Sequence, residues 1–122
     1  MRVLVVEDDL SIAWVICDDL TERGHQVVLA DNGLEALKRV EEARPDAIVL
    51  DLMMPFMHGW DFVERYQERT GGEVIPIIVV SAARAVPRSL EDRGVRGYLA
   101  KPFDLEDLAR SLEEATRQPS LA

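Results

Sequence analysis

The side chains best suited to chemistry each follow a short apolar run of the sequence: Glu7 and Asp8, Asp51, Ser81, and Lys101. Carboxylates about 5 Å apart repel by roughly 3 kcal/mol a pair at an effective dielectric of about 20, so such a cluster retains a proton or binds a cation. Oxygen ligands without a neighbouring Cys or His favour Mg²⁺, whose shell is often completed by phosphate oxygens. If these residues converge, they predict a phosphoryl-binding site with Mg²⁺.

The apolar runs themselves predict the strands of a parallel sheet. They cover residues 3–6, 27–30, 47–50, 75–80 and 98–100, and they do not alternate with polar residues, as is typical of strands covered on both faces. Stretches of helical period separate them, which predicts an α/β chain of the order βαβαβαβαβα. In open parallel sheets, ligands bind beyond the carboxyl ends of the strands, which is where the polar set would meet.

Capping residues support the predicted helices. Asp9 would place negative charge at the N-terminus of the first helix, where the helix dipole favours it, and Gly24 stands where the C-terminal cap of that helix would lie. Asp104 precedes the last helix as an N-cap.

Length and charge narrow the class of protein. The 122 residues predict one domain, which we place at residues 1–117 with a tail at 118–122. Fourteen Lys and Arg against 23 Asp and Glu give a net charge of −9, which disfavours direct nucleic-acid binding. The single Cys17 excludes an internal disulfide, and no apolar run predicts a membrane span or a signal peptide. We therefore expect a cytoplasmic protein.

Taken singly, each polar residue also has a structural explanation. Glu7 and Asp8 could serve a helix N-terminus, Asp51 a turn and Ser81 a cap. Lys101 is more informative, because this chain has 12 Arg but only two Lys. A Lys retained in such a chain indicates a need for a compact point charge.

The motifs together resemble the receiver domain of two-component response regulators. They are Val-Val-Glu-Asp-Asp at 5–9, Leu-Asp-Leu-Met-Met-Pro-Phe-Met-His-Gly at 50–59, Ser-Ala at 81–82 and Lys-Pro-Phe at 101–103. The resemblance extends over residues 2–117. It implies a flavodoxin-like (βα)5 fold, doubly wound around a five-stranded parallel sheet of order 2-1-3-4-5.

The resemblance also implies roles for individual residues. Asp51 matches the phosphoacceptor, which attacks a phosphohistidine and becomes an acyl phosphate. Glu7 and Asp8 match the acidic pair that holds Mg²⁺ together with Asp51 and the main-chain carbonyl of Met53.

Three further positions match residues that respond to the phosphoryl group. Lys101 matches the lysine that pairs with the carboxylate and then with the phosphoryl group, and its bond to Pro102 is cis in the family. Ser81 matches the switch hydroxyl, and Tyr98 matches the aromatic residue that turns inward with it. The implied output surface is the face formed by the fourth strand, the fourth helix and the fifth strand.

The implied partners are a sensor histidine kinase or histidine phosphotransfer protein and a downstream effector protein or domain. Leu10, Ala13, Trp14 and Cys17 form a second apolar stripe on the first helix, which is either a docking surface or part of a wide buried face. The resemblance implies that the phosphodonor docks on this helix. Arg96 and Gly97 replace the acidic dipeptide that accompanies symmetric dimers in the family, so we expect a monomer or a weak phosphorylation-dependent dimer.

Pro87 predicts a short or shifted fourth helix.

We expect no enzymatic activity beyond the chain's own phosphorylation and a slow autodephosphorylation, since Met53 and Ala83 are too apolar to orient water.

Two other functions remain open. An aspartate-nucleophile phosphatase would need a second acid two residues after Asp51, where Met53 stands. A degenerate receiver would act only as a phosphorylation-independent interaction module.

Overall fold

The computed structural model describes residues 1–51, 62, 65, 75–82 and 94–117. Its strands are β1 (Arg2–Val6), β2 (Gln26–Ala30), β3 (Ala47–Leu50), β4 (Ile77–Ser81) and β5 (Val95–Ala100). Its helices are α1 (Leu10–Glu22), α2 (Gly33–Glu42) and the C-terminal α3 (Leu105–Arg117).

The five strands form one parallel sheet in the order β2-β1-β3-β4-β5. The register is regular on both sides of β1, where Val3 lies opposite Val27 of β2 and Ala47 of β3. The strand order reverses at β1, because β2 lies on one side of it and β3 to β5 on the other, so the carboxyl ends of β1 and β3 open onto the crevice in which ligands bind in such sheets. The predicted fold class and strand order are confirmed.

Alternate side chains of each strand contribute to two separate cores. Leu4 and Val6 of β1 point to the core on the α2 side of the sheet, which also contains Phe62. Val3 and Val5 point to the core shared with α1 and α3. Because β1, β3 and β4 are buried on both faces, they are continuous apolar runs, as the sequence predicted.

The caps predicted at Gly24 and Asp104 are present, and Asp9 also caps α1. Asp9 accepts hydrogen bonds from the main-chain N–H groups of Ser11 and Ile12, at 3.0 and 3.3 Å. Gly24 follows the C-cap residue with φ of +95°, a backbone conformation that favours glycine. At the start of α3, Asp104 accepts from the N–H of Glu106 at 3.0 Å.

The fifth strand is longer than predicted, since it begins at Val95 and not at residue 98. Its pairing with β4 shifts in register, so that Val95 lies opposite Ile77 and Gly97 opposite Ile78. Arg96 therefore occupies a bulge. The charged residue and the glycine interrupt the apolar run, which is why the sequence pattern missed this half of the strand.

Several predictions fall on residues outside the described ranges. They concern the third and fourth helices as wholes, the carbonyl of Met53, the apolar Ala83, the helix-breaking Pro87 and the tail at 118–122. Among the described residues, no helix is both long enough and apolar enough to cross a membrane.

Candidate functional site

The sheet brings the predicted site residues to one edge. Glu7 and Asp51 directly follow β1 and β3, and the N–H of Asp51 donates to the carbonyl of Val6 at 3.0 Å. Lys101 directly follows β5, and its N–H donates to the carbonyl of Ser81, the last residue of β4, at 3.0 Å. These main-chain hydrogen bonds extend the strand ladders by one residue and fix where each side chain begins.

Three carboxylates meet at the centre of this edge. One oxygen from each of Glu7, Asp8 and Asp51 can be chosen so that all three lie within 4.8 Å of one another. Glu7 is 0% exposed and Asp51 is 3% exposed, whereas Asp8 is open to solvent. At this spacing each ionised pair repels by about 3 kcal/mol at an effective dielectric of about 20, so the cluster requires a positive charge or a proton.

Lys101 supplies one positive charge. Its Nζ lies 2.6 Å from Oε1 of Glu7 and 3.1 Å from Oδ2 of Asp51, so it forms an ion pair with both carboxylates. Burial lowers the pKa of Lys101, but its hydrogen bonds to Glu7 and Asp51 outweigh this effect and raise the pKa. The ammonium group is therefore charged whenever the carboxylates are ionised.

Glu7 is the most perturbed acid of the cluster. Its pKa is raised from 4.5 to about 7; burial is the main cause and the neighbouring charge of Asp51 contributes, while the hydrogen bonds from Lys101 and from the N–H of Asp9 oppose the rise. That N–H donates to Oε2 at 3.1 Å. The positive charge of one ammonium group therefore does not balance the negative charge of the three carboxylates near neutral pH.

The two predicted switch residues lie on β4 and β5. Ser81 is fully buried at the end of β4, and Tyr98 is half-buried against the core on the α2 side of the sheet. Val79, two residues before Ser81, lies opposite Tyr98 in the pairing of β4 with β5. The hydroxyl and the aromatic ring therefore belong to adjoining strands. The peptide bond between Lys101 and Pro102 is cis, as the resemblance implied.

A groove of about 500 Å³ opens beside Lys101. Its walls come from α1 and from the segment that joins β5 to α3; they include Ile12, Val15, Pro102 and Phe103. Val15 is 53% exposed there. The sequence pattern did not indicate this groove, because the exposed side of the first helix was expected at the stripe containing Trp14. The i, i+3 spacing of Ile12 and Val15 was the available signal.

The stripe containing Trp14 is divided by the structure. Ala13 is buried, Cys17 is half-buried, and Leu10 and Trp14 are exposed. The residues that line the groove belong to the other side of the helix. Trp14 is thus accessible, as a docking residue must be, but it does not line the groove beside Lys101.

Comparison with known proteins agrees with this geometry. A family model described as the response regulator receiver domain matches residues 3–113. The chain belongs to this family. The response regulator MprA of Mycobacterium leprae is 38% identical over 120 residues, which are 97% of this chain and 52% of that protein. This receiver domain therefore spans about half the length of the curated relatives it matches.

Solved structures of receiver domains are also similar. The chemotaxis protein CheY4 of Vibrio cholerae has a TM-score of 0.83 and 32% identity, covering 93% of this chain and 97% of that one. The receiver domain of a sensor histidine kinase from Pseudomonas aeruginosa has a TM-score of 0.83 and 31% identity, covering 96% and 98%. That second domain was solved with Mg²⁺ in its active-site cleft.

The donor set of this receiver domain fits a hard divalent cation. All three groups of the cluster are carboxylates, and oxygen ligands are those that Mg²⁺ prefers. The under-compensated charge around Glu7 gives a physical reason for a second cation beside Lys101.

Proposed function

We propose that this receiver domain accepts a phosphoryl group on Asp51 from a histidine kinase or a histidine phosphotransfer protein, with Mg²⁺ held by Glu7, Asp8 and Asp51. The carbonyl of Met53, which lies outside the described residues, would complete the protein ligands. The observation that carries the proposal is the position of Asp51, which lies within 4.8 Å of two other carboxylates and 3.1 Å from the Lys101 ammonium. A buried carboxylate in such a setting is suited to receive a transferred anion.

The reaction joins an oxygen of the Asp51 carboxylate to phosphorus as the bond between phosphorus and the histidine nitrogen breaks. The imidazole keeps the electron pair of that bond. The bound cation would neutralise charge on the phosphoryl oxygens. Lys101 is placed to bind the transferred group, since its Nζ contacts both Glu7 and Asp51 and can exchange a carboxylate oxygen for a phosphoryl oxygen.

Phosphorylation would be transmitted through β4 and β5 to a downstream effector. The phosphoryl group adds strong hydrogen-bond acceptors at the end of β3, next to the strand that carries Ser81. Movement of the Ser81 hydroxyl toward it would free space for Tyr98, which packs against the same side of the sheet as Val79. The proposed output is a shift between two conformations of this face.

The decisive experiment is intact mass spectrometry after incubation with acetyl phosphate and Mg²⁺. We expect a gain of one phosphoryl group in the wild-type chain and none in an Asp51→Asn variant or in the presence of EDTA. Asp18→Asn is the matched control, because Asp18 is an exposed acid of α1 away from the cluster. A folded chain that gains no mass would instead be a phosphorylation-independent interaction module.

We further propose that the phosphodonor docks in the groove between α1 and the segment after β5. The groove borders Lys101, so a protein seated there would have its histidine beside Asp51. A Val15→Glu variant should accept phosphate from acetyl phosphate at the wild-type rate, but roughly tenfold more slowly from a kinase that phosphorylates the wild type.

The control for docking is Trp14→Lys, which changes an exposed apolar residue of the same helix outside the groove. We expect it to leave the kinase rate unchanged. If Trp14→Lys slows transfer from the kinase and Val15→Glu does not, the docking surface is the stripe that sequence analysis predicted.

A further inference from the structure

The outer edge of β2 has main-chain groups that point away from the sheet. The N–H of Gln26 donates to the carbonyl of Met1 at 2.9 Å, and the carbonyl of Ala30 accepts from the N–H of Glu7 at 3.0 Å. Because both main-chain groups of a strand residue point to one side and alternate along the strand, Gln26, Val28 and Ala30 face β1. Val27 and Leu29 therefore direct their N–H and C=O groups outward. In the part of the chain that the structure describes, no strand pairs with this edge.

This edge lacks the features that usually prevent strand pairing. The sequence of β2 is Gln-Val-Val-Leu-Ala, without charge or proline, and its register with β1 is free of bulges. The opposite edge of the sheet, β5, carries both a shift in register and the exposed Arg96. An uncharged, regular edge strand is a template for an additional strand.

The helix above this edge adds exposed apolar surface. Val27, Leu29 and Cys17 pack on the same core as α1. Ile12 and Val15 line the groove beside Lys101, whereas Leu10 and Trp14 lie on the opposite side of α1, the side of Cys17. Leu10 is 58% exposed and Trp14 is 69% exposed, so the helix that packs on β2 also presents exposed apolar side chains.

We propose that the outer edge of β2 pairs with β2 of a second copy of this chain. An antiparallel pair centred on Val28 places Val27 of each copy opposite Leu29 of the other. Both residues point their main-chain groups outward, so the pair closes with four N–H···O=C hydrogen bonds. The outward main-chain groups of one β2 therefore match those of a second β2 across a two-fold axis. The pairing joins the two five-stranded sheets into one sheet of ten strands.

Charge also favours a second copy at this edge. Each chain has a net charge of −9, so most faces of the protein would repel a copy of themselves. β2 carries no charge, and α1, which packs on it, exposes the apolar Leu10 and Trp14. The association uses none of the phosphorylation-site residues and is expected with or without phosphate on Asp51, unlike the phosphorylation-dependent dimer expected from the sequence.

The first test is sedimentation equilibrium over a range of protein concentrations. We expect a reversible dimer of the wild type and of Asp51→Asn, with a dissociation constant raised roughly tenfold or more by Val27→Pro, which removes one outward N–H. Val27→Thr keeps that N–H and the branched shape, and it should still dimerise. Trp14→Lys, which leaves β2 intact, should also weaken the dimer.

The second test locates the symmetry axis by oxidation in a Cys17→Ser background. Val28→Cys should form an intermolecular disulfide, because residue 28 of one copy lies opposite residue 28 of the other in a close, non-hydrogen-bonded pair. Gln26→Cys is the matched control, since residue 26 lies opposite residue 30 and should not cross-link. A wild type that stays monomeric at millimolar concentration, or a dimer that cross-links equally through both cysteines, overturns the proposal.

Discussion

At the residue scale, the most informative group is Glu7. It is fully buried, yet it lies within the carboxylate cluster and 2.6 Å from the Lys101 ammonium. Lys101 is paired with both Glu7 and Asp51, and burial together with the charge of Asp51 favours a proton on Glu7. The site is thus set up so that a cation can replace a proton.

This arrangement predicts a pH dependence of stability in EDTA. The pKa of Glu7 is raised from 4.5 to about 7 in the folded chain. Between these values the folded state binds a proton that the unfolded chain has released, so the contribution of Glu7 to the free energy of unfolding falls as the pH rises. We expect the free energy of unfolding of the wild type to decline relative to Glu7→Gln by at most about 3 kcal/mol over this range.

Urea denaturation of both proteins at a series of pH values measures this difference. The comparison with Glu7→Gln cancels the contributions of the other acids. A difference that stays constant, or that rises with pH, would contradict the raised pKa.

At the element scale, α1 is tied to the site through one residue. The Asp9 side chain caps α1, and the Asp9 main-chain N–H donates to Glu7. The start of the helix and the orientation of a site carboxylate are therefore fixed by the same residue. The helix also presents two surfaces: the groove beside Lys101 on one side, and the exposed Leu10 and Trp14 on the other.

The cap makes a measurable contribution to stability. Asp9→Ala should lower the free energy of unfolding by about 1 kcal/mol, since two N–H groups of the first turn lose their acceptor. The main-chain N–H to Glu7 is kept, so phosphorylation by acetyl phosphate should continue. Asp18→Ala, an exposed change within the same helix, should alter the unfolding free energy by less than about 0.5 kcal/mol. Equal effects of the two substitutions in urea denaturation would argue against a capping role.

At the scale of the whole molecule, the site exists only when the sheet is assembled. Its carboxylates follow β1 and β3 and its ammonium follows β5, so the unfolded chain has no such cluster. A cation that binds the cluster therefore stabilises the fold as a whole.

Mg²⁺ should accordingly raise the free energy of unfolding, by about 2.7 kcal/mol at a hundred times its dissociation constant. The gain should be larger at about pH 8 than at about pH 5, because the cation binds the ionised form of Glu7. Thermal or urea unfolding with Mg²⁺ and with EDTA gives the measurement. Asp8→Asn should remove most of the gain and Asp18→Asn should keep it; an undiminished gain in Asp8→Asn would place the ion elsewhere.

Much of the architecture could be predicted from local patterns. Continuous Val- and Ile-rich runs located the buried strands, and Gly24 and Asp104 marked helix ends, because caps depend on neighbours in sequence. The first half of β5 was missed, since Arg96 and Gly97 are accommodated by a bulge that only pairing with β4 produces. The groove beside Lys101 was missed for a related reason, as its two walls are remote in sequence.

The sequence by itself determined which residues could do chemistry and that they stand at strand ends, because strand patterns and side-chain types are local properties. Only the tertiary structure decided that Glu7, Asp51 and Lys101 meet within ion-pair distance and that Glu7 loses contact with water. It also decided which side of α1 lines the groove beside Lys101. Distances, burial and open edges depend on contacts between distant segments, and a linear pattern does not contain them.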